Sequence, residues 1–146
     1  MALISKEESP ETPRELEEDL RKIIADMLSI FRFQIEISKE IQGRSGIMHE
    51  VDIVAEKKDD HSPTRLLIKC KSLMEETFLR LDEVLCFWAQ LFDASADRGV
   101  IVTTCKVSEP AIKFAEHHQI LILTARRPTE LRYKILESEL FQPKMN

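Results

Sequence analysis

Scarcity in this sequence is informative before any motif is considered. Only 3 glycines and 6 prolines occur in 146 residues, which excludes a collagen-like or low-complexity chain. No apolar run approaches ~18 residues, so no membrane-spanning helix is expected and no membrane partner is implied. The 3 cysteines, Cys70, Cys86 and Cys105, are odd in number and show no Cys-x-x-Cys spacing. A disulfide framework is therefore not expected, and each thiol is expected to act as a small buried apolar group. The N-terminus is acidic and carries no visible secretory signal, so a reduced, cytoplasmic setting is expected. Gly43 and Gly46 flank a turn, and no phosphate-loop or dinucleotide fingerprint surrounds them.

What is present is an ordinary folded composition, 43% hydrophobic and 32% charged. A chain of 146 residues suits one domain, which usually takes ~100–150. The net charge of −5 argues against a general nucleic-acid binder, but its distribution changes that reading. Residues 1–19 hold seven acids and two bases, which accounts for the whole excess, and the other 127 residues balance. The acidic head could shield, or compete for, a basic surface elsewhere.

Residues 1–11 read as a flexible acidic lead-in, 12–141 as a single domain and 142–146 as a tail. Thr12-Pro13-Arg14-Glu15 is a helix start, with Thr12 as cap, Pro13 at the first helical position and Glu15 completing a capping box. Leu16, Leu20, Ile23, Ile24, Met27 and Leu28 then recur at helical spacing. Phe31 to Ile37 alternates as a half-buried strand, Gly43 to Gly46 is a turn, and Ile47 to Ala55 is a second strand. After a polar loop over Lys57 to Pro63, Arg65 to Lys71 is a third strand, expected to pair antiparallel with the second. Glu75 to Phe92 reads as a long helix closed by Asp97-Arg98-Gly99. Val100 to Thr104 is a buried β-branched run, Ser108 caps a short helix through His117, Ile120 to Leu123 is a last strand, and 128–140 is a terminal helix. This α-β-β-β-α-β-α-β order predicts an α/β fold with a mixed central sheet flanked by helices on both faces.

Strand alternation sorts Glu50, Asp52 and Val54 to one face of the second strand, and Leu67, Lys69 and Lys71 to one face of the third. Neighbouring pairing would gather Glu50, Asp52, Lys69 and Lys71 on one side of the sheet. Carboxylates there can hold a hard cation such as Mg²⁺ through oxygen. A nearby lysine can orient water or stabilise charge on a phosphate. The plainer reading is a set of ion pairs at a solvated strand end.

The run Gly46-x-x-His49-Glu50-x-Asp52-Ile53, followed by Leu66-Leu67-Ile68-Lys69-Cys70-Lys71, resembles the core of the PD-(D/E)xK nuclease superfamily, in its Mrr-like restriction endonuclease branch with archaeal relatives. Gly99 to Thr104, Ser108, Ala111, Ala115 and Gln119 to Leu123 resemble the second half of that restriction-endonuclease-like fold. The resemblance covers roughly residues 14–124 and implies a Mg²⁺-dependent DNA endonuclease, with Mn²⁺ as a substitute. By position Asp52 matches the metal aspartate and Lys71 the catalytic lysine. Lys69 stands where the family has Asp, Glu or Gln, and an ammonium cannot ligate a cation. Glu50 could supply the missing carboxylate, with Lys69 contacting phosphate. Alternatively the site is degenerate and the fold serves DNA binding or assembly. The family often adds a glutamate from the first helix. Glu17 and Glu18 lie there, and Glu18 is the candidate ligand, although Arg21 occupies the position that aligns.

Arg44, Arg126 and Arg127 are candidate phosphate contacts, with Arg132 and Lys134 in the same basic set; a solvated surface is the alternative. His49 neighbours the site and reads as a hydrogen-bonded structural histidine, and His117-His118 suits a helix end. Phe87 and Trp88 read as core or dimer interface rather than base-stacking groups. A length of 146 residues leaves no room for a separate target-recognition domain, so a homodimer, a second subunit or a protein partner is expected to help choose DNA.

Overall fold

The computed structural model describes residues 12–58, 64–72 and 78–138. The expected lead-in, the 142–146 tail, the end of the terminal helix and the loop after the second strand lie largely or wholly outside them. Helix α1 spans Pro13–Ile30, and Thr12 Oγ1 accepts from the Glu15 N–H at 3.2 Å, so the first half of the expected capping box is made. Strands β1 (Gln34–Gln42), β2 (Met48–Lys57) and β3 (Thr64–Lys71) follow. Gly46 carries the connection between β1 and β2 at φ 90°, where a Cβ would be strained.

The expected long helix begins later than its periodicity suggests. Its first residues lie outside the described set, Phe78–Leu79 form a short strand β4, and helix α2 spans Leu81–Asp93. Leu79 is buried and pairs with Val107 of strand β6 (Lys106–Val107), while the Glu83 carboxylate accepts from the Arg80 N–H at 3.4 Å and fixes the helix start. Helix α2 ends at Asp93, one residue past the expected Phe92, but Asp97-Arg98-Gly99 does not close it. Ala94 caps it, Ser95 reverses the chain at φ 55°, and Arg98 already opens strand β5 (Arg98–Thr103). Helix α3 (Glu109–His117) is capped by Ser108, whose Oγ accepts from the Ala111 N–H at 3.3 Å. Strand β7 (Ile120–Thr124) and helix α4 (Pro128–Glu137) complete the described chain.

The five-stranded sheet runs β1-β2-β3-β5-β7. β1, β2 and β3 are successively antiparallel, whereas β3, β5 and β7 are parallel. The expected mixed sheet and the antiparallel pairing of the second and third strands are both found. Two cores cover its faces, as expected. Leu20, Ile24 and Leu28 of α1 and Leu131 and Ile135 of α4 pack on Ile53, Ile68 and Val102. Val84, Phe87 and Leu91 of α2 and Ala111 and Ala115 of α3 pack on Leu67, Val54 and Ile101. Burial on both faces explains the continuous apolar run of β5. Gly99 lets α2 approach the sheet, because a Cβ there would stand 2.4 Å from Leu91 Cδ1 and 2.7 Å from Phe87 Cε2. Cys70 and Cys105 are buried as expected, but Cys86 is exposed, because it stands on the outer side of α2.

Candidate active site

The site sits in a fork of the sheet. Pairing between β2 and β3 stops at Ile53 and Ile68, so Asp52 on one strand and Lys69 to Lys71 on the other lie where the strands part. Alternation in β2 also breaks here. Ile53 and Ala55 pack on the α1 side, but both Val51 and Val54 pack on the α2 side. Across the β1–β2 pair, Ile37 meets Ile53 and Lys39 meets Val51, and Ser38 between them stands at φ 53°, in the left-handed region. Strict alternation therefore fails at Asp52, yet one cleft still brings Glu50, Asp52 and Lys69 together, while Lys71 turns to Glu83.

On the α1 side Asp52 is the centre. Its Oδ2 accepts from the Cys70 N–H at 2.8 Å, and its Oδ1 lies 3.4 Å from Arg21 Nη2. The same Nη2 lies 3.9 Å from Glu17 Oε1. Glu17 Oε2 in turn accepts from the Ser72 N–H at 3.4 Å. Two carboxylates thus hang on alternate amides at the end of β3, with one guanidinium between them. Burial pushes the Cys70 thiol up to about 12, and the Asp52 charge adds to the effect, so this thiol is not a nucleophile.

The other side of β3 faces α2. Lys71 pairs with the buried end of Glu83, in the first turn of α2. Burial, and then the Lys69 ammonium, push Lys71 below the ordinary lysine range. Lys69 forms no ion pair among the described residues. It lines an open cleft of about 550 Å³ with Asp52, Glu50, Ser38, Phe87 and Gln90. The parallel register sets Lys71 beside Thr103 and Thr103 beside Thr124, so the segment after β7 with Arg126 and Arg127 leaves from the same edge of the sheet. Sites in such sheets form beyond the carboxyl ends of parallel strands.

The other sequence candidates fall as follows. Glu18 does not reach the centre. Its side chain is 62% exposed and lies 3.9 Å from Arg14, one helical step round from Glu17. Glu50 is exposed at the cleft, and Gln90 Nε2 donates to its backbone carbonyl at 3.3 Å. Arg126 and Arg127 are exposed. Arg44 is held at the end of α2, donating to the Phe92 carbonyl at 3.0 Å and stacking 5.0 Å over the Phe92 ring. Lys134 binds the Thr124 carbonyl and hydroxyl and lies 3.3 Å from Glu130. His49 has the structural role expected, with Nε2 2.7 Å from Asp93 Oδ2. Phe87 is core, whereas Trp88 packs at the surface against Phe92, Phe114 and His118. Sequence reasoning missed Glu83. Its signal was an acid in the first turn of a helix whose start lies two residues beyond an apolar Phe78-Leu79 pair.

A family model for the Mrr catalytic domain, described as restriction endonuclease, matches residues 13–131, which includes every element that builds this fork. The chain belongs to this restriction endonuclease family. Among solved structures it is similar to the protein of unknown function AF1548, at 25% identity and TM-score 0.61, covering 73% of this chain and 56% of that one. The restriction endonuclease MspJI, solved in complex with a 27-mer oligonucleotide, gives TM-score 0.53 at 15% identity, covering 87% of this chain and 29% of that one. A repair endonuclease from Pyrococcus abyssi gives TM-score 0.53 at 18% identity, covering 81% and 49%. The chain thus spans between 29% and 56% of these proteins, and the likeness at the lower identities concerns the fold. No curated protein matches. No helix of the described residues is long and apolar enough to cross a membrane.

The endonuclease family implies a divalent cation, and the donor set of this domain does not fit one. A hard cation takes several oxygen ligands. Among the described residues no three of His, Cys, Asp and Glu stand close enough to share an ion. Asp52 and Glu17 already share a guanidinium and each accept a backbone N–H. Lys69 adds a further positive charge beside Asp52 in the same cleft.

Proposed function

We propose that this chain is the nuclease-fold domain of a DNA-directed endonuclease, in which the lysine pair of β3 engages the phosphate backbone and hydrolysis is weak or lost. The supporting observation is the fork itself. Lys69 stands half-buried in an open cleft beside Asp52, and Lys71, one pleat further on the same strand, is paired with Glu83. A phosphate seated there meets charges already desolvated in part, which strengthens the contact over one in bulk water. Lys69 holds the phosphate, and Lys71 stabilises charge on it against the Glu83 carboxylate. Arg126 and Arg127 extend the contact along the same edge. Asp52 orients the fork by holding the Cys70 amide and Arg21. Magnesium, or manganese in its place, meets at Asp52 a carboxylate whose two oxygens are already engaged, so cleavage with either ion is expected to be slow.

A fully active endonuclease is the second reading. It is favoured by the retention of Asp52 and Lys71 at the positions of the family motif. Purified protein is incubated with supercoiled and linear DNA, with and without Mg²⁺ or Mn²⁺, beside Asp52→Ala and Lys71→Ala. Binding that weakens with salt, with little nicking, is the expected result. Rapid metal-dependent nicking abolished by both substitutions establishes the second reading. Absence of DNA binding at low salt overturns both. A second copy or a partner protein is proposed to supply the choice of target, since the cleft offers charge to any phosphate and reads no base.

A further inference from the structure

The Arg21 guanidinium has an unusual place. It reaches from α1 into the fork, and its Nη2 lies 3.4 Å from Asp52 Oδ1 and 3.9 Å from Glu17 Oε1. Each of these carboxylates gives its other oxygen to a backbone N–H of the β3 end, Asp52 to Cys70 and Glu17 to Ser72. Arg21 Nε is buried and has no hydrogen-bond partner among the described residues. The side chain is therefore held by its charged tip, at the cost of a desolvated donor. A solvated surface ion pair would not accept that arrangement. The arrangement is a half-buried set of two carboxylates, two strand amides and one cation.

We propose that Arg21 is the resident cation of this centre, filling the interval between Glu17 and Asp52 so that the protein's own charge stands there in place of a divalent ion. The inference deepens the reading of the same fork given above and rests on it. The reason is electrostatic. Two negative charges meet one guanidinium directly, with the Lys69 and Lys71 ammonium groups on the other face of the same strand. A doubly charged ion entering this space would face Arg21 at contact range in a partly desolvated setting, where like charges repel far more than in water. The planar guanidinium suits the role better than lysine, because it keeps its charge and offers several donors in a fixed fork. On this account Arg21 and Lys69 act together: each sets a fixed positive charge at the fork, and Arg21 closes the acid pair.

The test uses Mn²⁺ alone, without DNA, so a failure of DNA binding leaves it readable. Mn²⁺ is titrated by calorimetry into the wild-type chain, Arg21→Gln, and the double variant Arg21→Gln with Asp52→Asn. Wild type is expected to show no saturable binding in the millimolar range. Arg21→Gln is expected to gain one site, tighter by on the order of tenfold or more, because one opposing charge is gone. The double variant is expected to lose it again. Arg21→Met serves as a second uncharged variant, with folding checked by circular dichroism. A folded Arg21→Gln or Arg21→Met that gains no site overturns the inference. The wild-type arm also decides without any variant. Mn²⁺ that broadens the Cys70 and Ser72 amide resonances of the wild-type chain overturns it, and unperturbed resonances support it.

Discussion

Asp52 Oδ2 accepts a hydrogen bond from the Cys70 backbone N–H at 2.8 Å, across the point where β2 and β3 cease to pair. A side chain here takes over from the ladder. The next rung would have joined backbone to backbone, and instead the carboxylate satisfies the amide and keeps the strands open. The fork is a consequence of that substitution, and with it come the access to Lys69 and the reach of Arg21.

This bond makes Asp52 a stability residue as well as a site residue. Asp52→Ala leaves the Cys70 amide and one side of Arg21 without a partner. The expected loss is about 1–3 kcal/mol, the usual cost of an orphaned buried donor. Asp52→Asn keeps a carbonyl oxygen for Cys70 and should recover most of that loss. Urea unfolding of the three proteins measures it. An asparagine as costly as the alanine would place the loss in the Arg21 pair instead.

Lys69→Ala should weaken binding to unrelated DNA sequences to the same extent, since the contact is to phosphate. The slope of log affinity against log salt should fall by about one for the lost charge. Fluorescence anisotropy on two duplexes of different sequence, over a range of salt, gives both numbers. A sequence-dependent loss would mean that Lys69 reads bases.

The clamp at the other end of β2 carries an acid dependence. Hydrogen bonds from His49 and then from Ser45 hold the Asp93 carboxyl down to about 2. A carboxyl depressed in the folded state contributes stability that is complete above its unfolded value, about 3.9 for aspartate. The contribution fades as pH falls from there through about 2. The stability gap between wild type and Asp93→Asn should thus be full at about pH 5 and shrink as pH falls from about 4 through about 2. Unfolding curves across that range test the sign, and a gap that widens in acid contradicts it.

Gly99→Ala should destabilise the fold without touching the fork. The added Cβ meets Leu91 Cδ1 and Phe87 Cε2 well inside contact distance. Overpacking of this kind costs about 1–3 kcal/mol. Thermal melting should show the loss, while DNA affinity below the melting range stays unchanged. Pairing Gly99→Ala with Phe87→Ala, which vacates part of that space, should cost less than the two losses added.

The order of elements, the two-sided burial of Val100 to Val102 and the caps at Thr12 and Ser108 were legible in the chain, because each rests on local periodicity or a hydrogen bond three residues long. The motif on which Asp52 and Lys71 are proposed as site residues is equally local. The helix read from Glu75 began too early, since the burial of Leu79 against Val107 depends on a strand some 28 residues away. Alternation along β2 misplaced the Asp52 carboxylate for a similar reason: period two holds only while both neighbours pair, and pairing on the β3 side ends at Ile53.

The sequence by itself thus determined the layers of the sheet and the family of the fold. Only the tertiary structure decided which helix glutamate meets Asp52, and that Arg21 lies between them. Glu17 and Glu18 are adjacent in the chain and equivalent in chemistry, but neighbouring helical residues point about 100° apart. The angle at which α1 crosses the fork selects Glu17 for the centre and leaves Glu18 in solvent.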